Sequence, residues 1–241
     1  MTRRRWIADE FTQTRAAITA DNAVHLARVL RARVGQEFEI VCGDQVRLGR
    51  ISSISPKEDR VEFELNEVIV DHTAGSSVHL LLAVFKFDRM EWAIEKVTEL
   101  GVESITPVIA NRTDAHLASA TAKRVERWRK LSREASQQSR RSREPKINDP
   151  IELKLAMQQV DINHLRLALA ETEKDVTLKA AIGSAGSQSP VHLAIGPEGG
   201  WTEDEMYLFV NSGWQAVSLG PTILRAETAA IAAVAIARAS I

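Results

Sequence analysis

The stretch LAIGPEGGWTEDEM (193–206) passes from an apolar segment through a glycine-rich bend into a polar segment. Thr202, followed by Glu205 three residues later, forms a capping-box pattern, which predicts that a helix starts here. The glycines of the bend carry no Cβ, so their backbone amides and carbonyls are open to close approach by another group. Because the apolar segment is typical of a buried strand, the stretch predicts a ligand-binding loop between a strand and a helix.

A second bend of the same kind follows, in which WQAVSL (214–219) precedes Gly220-Pro221 and TILRAETAA leads into a C-terminal helix pattern. We expect the two bends to lie side by side at the carboxyl edge of a parallel sheet, where ligands of such folds bind. Neither common glycine-rich phosphate motif occurs, and Pro197 and Pro221 remove amide donors that a phosphate would need. A ligand held by carbonyls, amides and apolar walls fits better, and the adenosine of S-adenosylmethionine is one such ligand.

From residue 78 onward, continuous apolar runs alternate with helical patterns, which is typical of a parallel sheet covered on both faces. The predicted strands are VHLLLAVF (78–85), SITPVIA (104–110), LRLALA (165–170), VHLAI (191–195) and WQAVSL (214–219). The predicted helices cover 88–100, 119–140, 152–160, 202–210 and 227–239, and GSAGSQS (183–189) is predicted as a loop. We therefore predict an α/β domain over residues 74–241.

Residues 1–73 show a different pattern, in which apolar and polar residues alternate as they do in half-buried strands. The alternating segments are EFEIVCG (37–43), QVRLGRISSIS (45–55) and RVEFELNEVIV (60–70). DNAVHLARVLR (21–31) predicts a short helix with Asp21 as its N-cap. These elements predict a small β-barrel-like domain, and DHTAGSS (71–77) is the predicted linker to the α/β domain.

Composition narrows the class of protein. With 241 residues, 44% of them hydrophobic, the chain can bury a full core. Its single cysteine, Cys42, excludes an internal disulfide and a cysteine-based zinc site. No apolar run approaches the ~20 residues of a membrane span, and the arginine-rich N-terminus has no apolar signal core. We therefore expect a cytoplasmic protein that needs neither a membrane nor a metal ion.

The basic residues are concentrated in two blocks, although the net charge is only −1. Between Lys123 and Lys146 there are ten Lys and Arg residues against three acidic ones, and residues 1–33 contain seven arginines against three acidic residues. Such blocks favour a surface that attracts polyanions. The alternative is that each block is a solvated helix face.

The motifs IGPEGG (195–200) and LGPTILRAETA (219–229) resemble the two signature motifs of SPOUT-class methyltransferases. More specifically, they resemble those of the RsmE family of 16S ribosomal RNA uridine-N3 methyltransferases. Further similar segments extend the resemblance over nearly the whole chain, and these are HLARVLR (25–31), Lys86 with RMEWAIEKVTELGV (89–102), and EASQQSRRSREPKI (134–147). Gln137 stands where the family usually has Glu, so a charged role at that position is not expected.

The resemblance implies a SPOUT fold with a C-terminal trefoil knot, which holds S-adenosylmethionine in a bent shape, and a PUA-like RNA-binding domain at the N-terminus. The residues then expected to bind the cofactor are Leu169, Ala170, Glu171, Ile195, Gly196, Gly199, Gly200, Leu219, Gly220 and Leu224. Within this fold a homodimer is expected as well. The C-terminal segment ETAAIAAVAIARASI (227–241) is apolar on nearly every face and therefore needs burial all round, part of which a second subunit would provide.

The implied reaction transfers a methyl group to N3 of a uridine. The sulfonium methyl is already electrophilic and needs no metal, but N3 must lose its proton, and the resulting charge spreads onto O2 and O4. Arg225 is expected to stabilise this anion, because a guanidinium offers a planar pair of donors. Glu198 and Glu227 are the candidates for the base or for an orienting group. The alternative for Glu227 is that it stabilises the N-terminus of the last helix.

The expected partner is 16S ribosomal RNA or the small ribosomal subunit, with an unpaired or flipped target base, because pairing hides N3. The residues predicted to contact RNA are Arg5, His25, Arg28, Arg31, Lys86, Arg140 and Arg141. Two alternatives remain open at this point. One is a SPOUT enzyme that methylates a ribose 2′-hydroxyl or a guanine, and the other is a non-catalytic RNA-binding assembly factor.

His79, His164 and His192 are predicted as core residues.

Overall fold

The computed structural model describes residues 5–43, 45–71, 77–141, 143–186 and 189–241. The chain divides into two compact units. The first contains residues up to 74 together with 136–143, and the second contains 75–135 and 144–241. The predicted domain boundary stays a prediction, because most of the predicted linker (71–77) lies outside the described residues.

The first unit is built on a mainly antiparallel sheet. Its strands are β1 (Arg5–Ile7), β2 (Glu10–Phe11), β3 (Arg15–Thr19), β4 (Glu37–Cys42), β5 (Gln45–Ser55) and β6 (Arg60–Asp71). Within the described residues the strand order is β1-β4-β5-β6-β3-β2, and only the β1–β4 pair is parallel. The predicted alternation is confirmed in β6, where buried Val61, Phe63 and Leu65 are separated by the more exposed Glu62 and Glu64.

Gly49 of β5 leaves room for side chains of the two neighbouring strands, β4 and β6. A Cβ at Gly49 would lie 2.6 Å from Ile40 Cγ1 and 3.4 Å from Phe63 Cβ. Ile40 and Phe63 are both fully buried in the core of the first unit. Any side chain at position 49 would therefore push Ile40 out of its place in the core.

The helix predicted over 21–31 is of a different type. A short α-helix, α1 (Ala20–Val24), continues directly into a π-helical turn (His25–Val29). Asp21 lies inside the first turn of α1 and not at the N-cap position, so the predicted cap is wrong. With this geometry Leu26 is fully buried, whereas Leu30 is 45% exposed. A π-helical turn cannot be read from a 3.6-residue periodicity.

The second unit is an α/β domain with a parallel sheet, as predicted. Its strands are β7 (Val78–Ala83), β8 (Ser104–Ile109), β9 (Lys146–Ile147), β10 (Ile151–Glu152), β11 (Leu165–Leu169), β12 (Val191–Ile195) and β13 (Gln215–Val217). Its α-helices are α2 (Phe87–Glu99), α3 (Ala115–Ala120), α4 (Val125–Gln138, whose last three residues cluster with the first unit), α5 (Leu153–Gln158), α6 (Leu178–Ala185), α7 (Glu203–Asn211) and α8 (Ala226–Ser240). The described strands follow the order β10-β8-β7-β12-β11-β13, with β9 beside β8, and every pair is parallel. In the described part of the chain, no helix has the length and hydropathy to cross a membrane.

Both faces of the parallel sheet are buried, because successive side chains of one strand enter different hydrophobic clusters. Along β7, Leu80 and Leu82 pack with residues of α2, α6 and α8. Leu81 and Ala83 pack instead with residues of α5 and α7. Since helices cover both faces, a ligand reaches this sheet at the ends of its strands.

The C-terminal helix α8 is buried along one face within this chain. Ala230, Ala233, Val234 and Ala237 are fully buried, and α8 packs against α2 and α6. Thr228 on another face is exposed. The expectation of burial all round is therefore not met by this chain alone, and the homodimer stays a prediction.

Three histidines stack at the amino ends of neighbouring strands. The ring of His192 lies 4.6 Å from that of His79 and 5.2 Å from that of His164, with interplanar angles of 13° and 15°. His164 Nδ1 and His192 Nε2 are 3.0 Å apart. The hydroxyls of Ser77 and Ser104 each lie 2.8 Å from a ring nitrogen of His79. The three rings are partly buried, so they form the rim of the core and not its centre.

This stack predicts a loss of stability in mild acid. Burial, together with the nearby charges of His79, His164 and Arg166, lowers the pKa of His192 to about 3. The unfolded chain takes up a proton near pH 6.5, whereas the folded chain resists it, so stability is complete above pH 6.5 and falls as the pH drops towards 3. For His192 alone the expected loss at pH 5 is about 2 kcal/mol.

Denaturant unfolding between pH 5 and pH 7 measures this effect. His192→Gln should flatten the pH dependence of the free energy of unfolding, because glutamine does not titrate. His116→Gln is the matched control, since His116 is exposed and lies outside the stack. A pH dependence as steep in His192→Gln as in the wild type would contradict the assignment.

Candidate active site

A cavity of about 620 Å³ lies at the carboxyl edge of the parallel sheet, within the second unit. The loops that follow β11, β12 and β13 line it. In the sheet β11 lies between β12 and β13, so its loop separates the two glycine-proline bends that the sequence predicts to be neighbours. The three loops meet around one volume, whose size suits a small organic ligand.

All the residues predicted to bind the cofactor line this cavity. They are Leu169, Ala170, Glu171, Ile195, Gly196, Gly199, Gly200, Leu219, Gly220 and Leu224. Two of the predicted catalytic residues, Glu198 and Arg225, line it as well. The structure thus brings these residues together, while their roles toward a cofactor stay predictions.

The first glycine loop (196–201) is a tight turn that requires glycine. The backbone N–H of Gly200 donates a hydrogen bond of 2.8 Å to the carbonyl three residues earlier, and Gly200 has φ +69°. A Cβ at Gly196 would lie 3.3 Å from Trp201 Cε2. Trp201 Nε1 donates a 3.0 Å hydrogen bond to the carbonyl of Leu169. The indole therefore ties the end of β11 to the first glycine loop.

Arg112 holds the same loop from another direction. This residue follows β8, and its Nη1 donates to the carbonyl of Gly199 at 2.6 Å and to that of Trp201 at 3.3 Å. Both acceptors belong to the first glycine loop, and Arg112 also lines the cavity. Sequence reasoning missed Arg112, because an arginine 87 residues before its acceptor gives no local signal.

The predicted capping box is confirmed at the start of α7. Thr202 Oγ1 accepts a hydrogen bond from the N–H of Glu205, and Glu205 Oε2 accepts one of 2.8 Å from the N–H of Thr202. Glu205 Oε1 accepts a further 2.8 Å bond from the N–H of Asn111. Glu205 as a whole is only 5% exposed. Glu205 therefore caps α7 and also joins it to the segment after β8.

The second glycine loop (218–225) is fixed to the chain before α6. The N–H of Ser218 donates to the carbonyl of Val176, and the carbonyl of Ser218 accepts from the N–H of Leu178, both at 2.9 Å. Gly220 has φ +124°, a conformation that favours glycine. Arg225 is the N-cap residue of α8, and its side chain is exposed at the cavity.

Acidic and basic side chains share the cavity wall. The carboxylates are those of Glu171, Glu173, Glu198 and Glu203, and the guanidiniums are those of Arg89, Arg112 and Arg225. The backbone N–H groups of Val176 and Asp175 donate to Glu173 and lower its pKa. Among the residues that the structure describes, no group of three or more His, Cys, Asp or Glu side chains is arranged to hold a metal ion. The wall suits a ligand that carries charges of both signs.

Glu227 does not line the cavity. Its side chain is buried in the first turn of α8, and Arg89 Nε lies 3.9 Å from its Oε1. Its Oε2 has no hydrogen-bond partner within the described ranges. Glu227 therefore stands behind the cavity wall, beside Arg89, and not among the groups that a ligand meets directly.

Two of the predicted RNA-binding arginines, both in the first unit, share one carboxylate. Arg5 Nε donates to Glu39 Oε2 at 3.0 Å, and Arg140 Nη2 donates to Glu39 Oε1 at 2.9 Å. Arg5 also donates to the carbonyl of Arg140. The Arg5 side chain is 13% exposed and that of Arg140 is 41% exposed. Their positive charge is thus partly balanced inside the first unit.

The other predicted RNA-binding residues are dispersed. Arg28 and Arg31 are exposed on the first unit. His25 and Arg141 are partly buried there, and the ring of His25 lies 5.9 Å from a buried tryptophan ring. Lys86, in the second unit, is exposed at the start of α2 but does not line the cavity. None of these residues lines the cavity.

Gln137 is part of the packed interior. Its side chain is 3% exposed, and Nε2 has no hydrogen-bond partner in the described part of the chain. An unsatisfied buried polar group costs about 1–3 kcal/mol. This residue, which departs from the family pattern, carries no charge and is not among the residues that line the cavity.

Comparison with known proteins assigns the chain to a class. Residues 73–238 match the family model described as an RNA methyltransferase domain, and residues 18–64 match the one described as an RNA methyltransferase PUA domain. With the parallel sheet and the cavity at its carboxyl edge, these matches define an RNA methyltransferase. A ribosomal RNA small subunit methyltransferase E from Rickettsia conorii is 32% identical over 221 residues, which cover 90% of this chain and 87% of the relative. The chain belongs to the ribosomal RNA small subunit methyltransferase E family, which confirms the resemblance seen in its motifs.

Solved structures support the same assignment. A ribosomal RNA small subunit methyltransferase E from Neisseria gonorrhoeae, crystallised with S-adenosyl methionine, is 28% identical with a TM-score of 0.80, and the match covers 97% of this chain and 95% of that one. A Legionella pneumophila protein in complex with the same cofactor is 27% identical with a TM-score of 0.86, covering 99% and 98% of the two chains. The predicted fold class, an α/β SPOUT domain with a PUA-like β domain, is confirmed.

Because Glu205 caps α7 and joins it to the segment after β8, we predict that Glu205→Gln destabilises the second unit. The substituted amide group would face a backbone N–H where a carboxylate oxygen now accepts, leaving a buried donor unsatisfied. We expect a loss of about 2 kcal/mol, or roughly 4–8 °C in Tm, by differential scanning calorimetry. Asp204→Asn in the same turn is the control, because Asp204 is exposed. Equal effects of the two substitutions would refute a special role of the Glu205 carboxylate.

Proposed function

We propose that this protein methylates N3 of a specific uridine in the 16S ribosomal RNA of the small subunit, with S-adenosylmethionine as the methyl donor. The observation that carries the proposal is the meeting of both glycine loops and the end of β11 around one cavity. Family membership supports a ribosomal RNA substrate, since the relatives are small subunit ribosomal RNA methyltransferases. The relatives solved with S-adenosylmethionine support the donor.

The chemistry of the cavity fits this donor. Main-chain atoms of the two glycine loops would meet the polar edges of the adenosine, because glycine leaves them uncovered. Leu169, Ile195 and Leu224 offer apolar surface to the adenine. Glu171 and Glu198 offer negative charge to the sulfonium and ammonium groups. When bound, S-adenosylmethionine supplies an electrophilic methyl group that needs no metal.

The chain's own residues must make N3 of the uridine nucleophilic. We assign proton acceptance to Glu198, because it is exposed at the cavity and follows a proline in a loop where it caps no helix. We assign stabilisation of the uracil anion to Arg225, whose guanidinium can donate to a carbonyl oxygen of the base. The positive end of α8, which begins at Ala226, adds to this stabilisation.

The RNA must present its target uridine unpaired or flipped, because N3 lies on the edge that pairing covers. We propose that exposed Arg28 and Arg31 contact RNA phosphates. His25, Lys86, Arg140 and Arg141 belong to the same proposal, and Arg5 contributes mainly through its contact with Arg140.

Several further features belong to this proposal. One is a knot in the C-terminal segment. This segment follows β13 at the edge of the sheet, yet its helix α8 packs against α2 and α6. Ser218, at the start of the segment, is hydrogen-bonded to the chain at the start of α6. We also propose a homodimer, a domain boundary at residue 73 and a cytoplasmic location, where the RNA of the small subunit is found.

A methyl-transfer assay with radiolabelled S-adenosylmethionine tests the function on naked 16S RNA and on small subunits that lack the modification. Nucleoside mass spectrometry should detect 3-methyluridine as the product. Arg225→Ala should lower kcat about 100- to 1000-fold, as expected for the loss of one donor to a developing anion. A 2′-O-methylated nucleoside or a methylated guanosine would favour the first alternative reaction, and RNA binding without transfer would favour the assembly factor.

Isothermal calorimetry with S-adenosylmethionine tests the cavity separately from catalysis. Gly196→Val should abolish measurable binding, because its side chain would meet Trp201 and cover main-chain atoms of the loop. Gly183→Val in α6 is the matched control, since a Cβ there meets nothing within 4 Å. Unchanged affinity in Gly196→Val would remove this loop from the site.

A further inference from the structure

Arg89 occupies a position that helix electrostatics alone disfavours. It lies in the first turn of α2, where the positive end of the helix dipole repels a cation. Its side chain is 33% exposed and lines the cavity. A cation at the start of a helix needs a compensating interaction, so its neighbours decide what this guanidinium does.

The nearest carboxylate to Arg89 is that of Glu227, at 3.9 Å. Glu227 is buried, and its Oε2 has no hydrogen-bond partner in the described residues, so Arg89 is the cation that compensates it. A buried carboxylate is stable only beside such a partner. Because Glu227 stands behind the wall, it holds the Arg89 side chain from the inner side, and the exposed part of the guanidinium is left to the cavity.

Two helices bring their positive ends to this part of the cavity. Arg89 near the start of α2 contacts Glu227 at the start of α8, and Gly101 just after α2 lies against Arg238 near the end of α8. The two helices therefore run side by side in the same direction. Arg225, the N-cap of α8, also lines the cavity. Two guanidiniums and two helix N-termini create a positive region that suits a delocalised anion.

We infer that Arg89 is a second guanidinium that contacts the uracil during methyl transfer, and that Glu227 is its positioning residue. The inference rests on the proposed function. In the reaction N3 gives its proton to Glu198, the charge spreads over N3, O2 and O4, and the N3–carbon bond forms as the sulfur–carbon bond breaks with its electron pair left on sulfur. Arg89 and Arg225 then share the charge of the base, each at one carbonyl oxygen.

Arg89→Gln tests the role in catalysis. We expect kcat to fall about 100-fold, while the Kd of S-adenosylmethionine by calorimetry and the KM for small subunits change less than about threefold. Arg89→Lys should recover part of kcat, because it restores the charge without the planar donor pair. Lys96→Gln on the same helix is the control, since Lys96 pairs with Glu95 and Glu99 away from the cavity.

A more acidic substrate gives the decisive readout. Fluorine at C5 withdraws electrons and lowers the pKa of the uracil N3–H, so small subunits carrying 5-fluorouridine need less stabilisation of the anion. With these subunits, the ratio of the Arg89→Gln rate to the wild-type rate should be at least tenfold higher than with unmodified subunits. Glu227→Gln should lower kcat less than Arg89→Gln and show the same rescue, because it leaves Arg89 in place but poorly held.

Other outcomes overturn the inference. An unchanged kcat in Arg89→Gln would make Arg89 a structural partner of Glu227 alone. A rise in KM for the subunit without a fall in kcat would indicate that Arg89 contacts an RNA phosphate. A rise only in the Kd of S-adenosylmethionine would indicate that Arg89 contacts the carboxylate of that molecule. If the wild-type protein forms no 3-methyluridine, the proposed function fails, and this result is distinct from all the others.

Discussion

The whole site depends on the parallel alignment of strands whose two faces are both buried. Helices cover both faces, so the chain can expose main-chain atoms to a ligand only where the strands end. Three adjacent strands, β12, β11 and β13, end at the same edge, and each continues into a loop that lines one cavity. Trp201 joins the loop after β12 to the end of β11, and Arg112 joins the same loop to the segment after β8, each through a backbone carbonyl.

Local patterns in the sequence were sufficient for most of this architecture. The apolar runs predicted the parallel strands, and the capping box predicted the start of α7, because both signals lie within a few consecutive residues. The helix α6 was missed, since Gly183 and the serines after it are typical of a loop. Packing of Leu178 and Ile182 in the core outweighs that local preference. The resemblance, and not periodicity, supplied the SPOUT assignment.

The residues that hold the site in place could not be predicted in the same way. Arg112, Arg89 and the second role of Glu205 depend on contacts between segments distant in the chain, for which a single sequence holds no local signal. Glu227 was identified as chemically important from its motif, but the motif does not tell whether its carboxylate faces a ligand or supports a neighbour. Burial and the direction of the side chain decide that question.

The carboxylate of Glu39 partly neutralises two of the basic residues of the first unit. Each arginine that binds a phosphate releases counterions from the RNA, which makes the affinity depend on salt concentration. Arg5 and Arg140 already share one carboxylate, so binding a phosphate would require them to exchange an internal partner for an external one. For these two arginines we therefore expect RNA binding to displace fewer ions than the number of basic residues in the two blocks suggests.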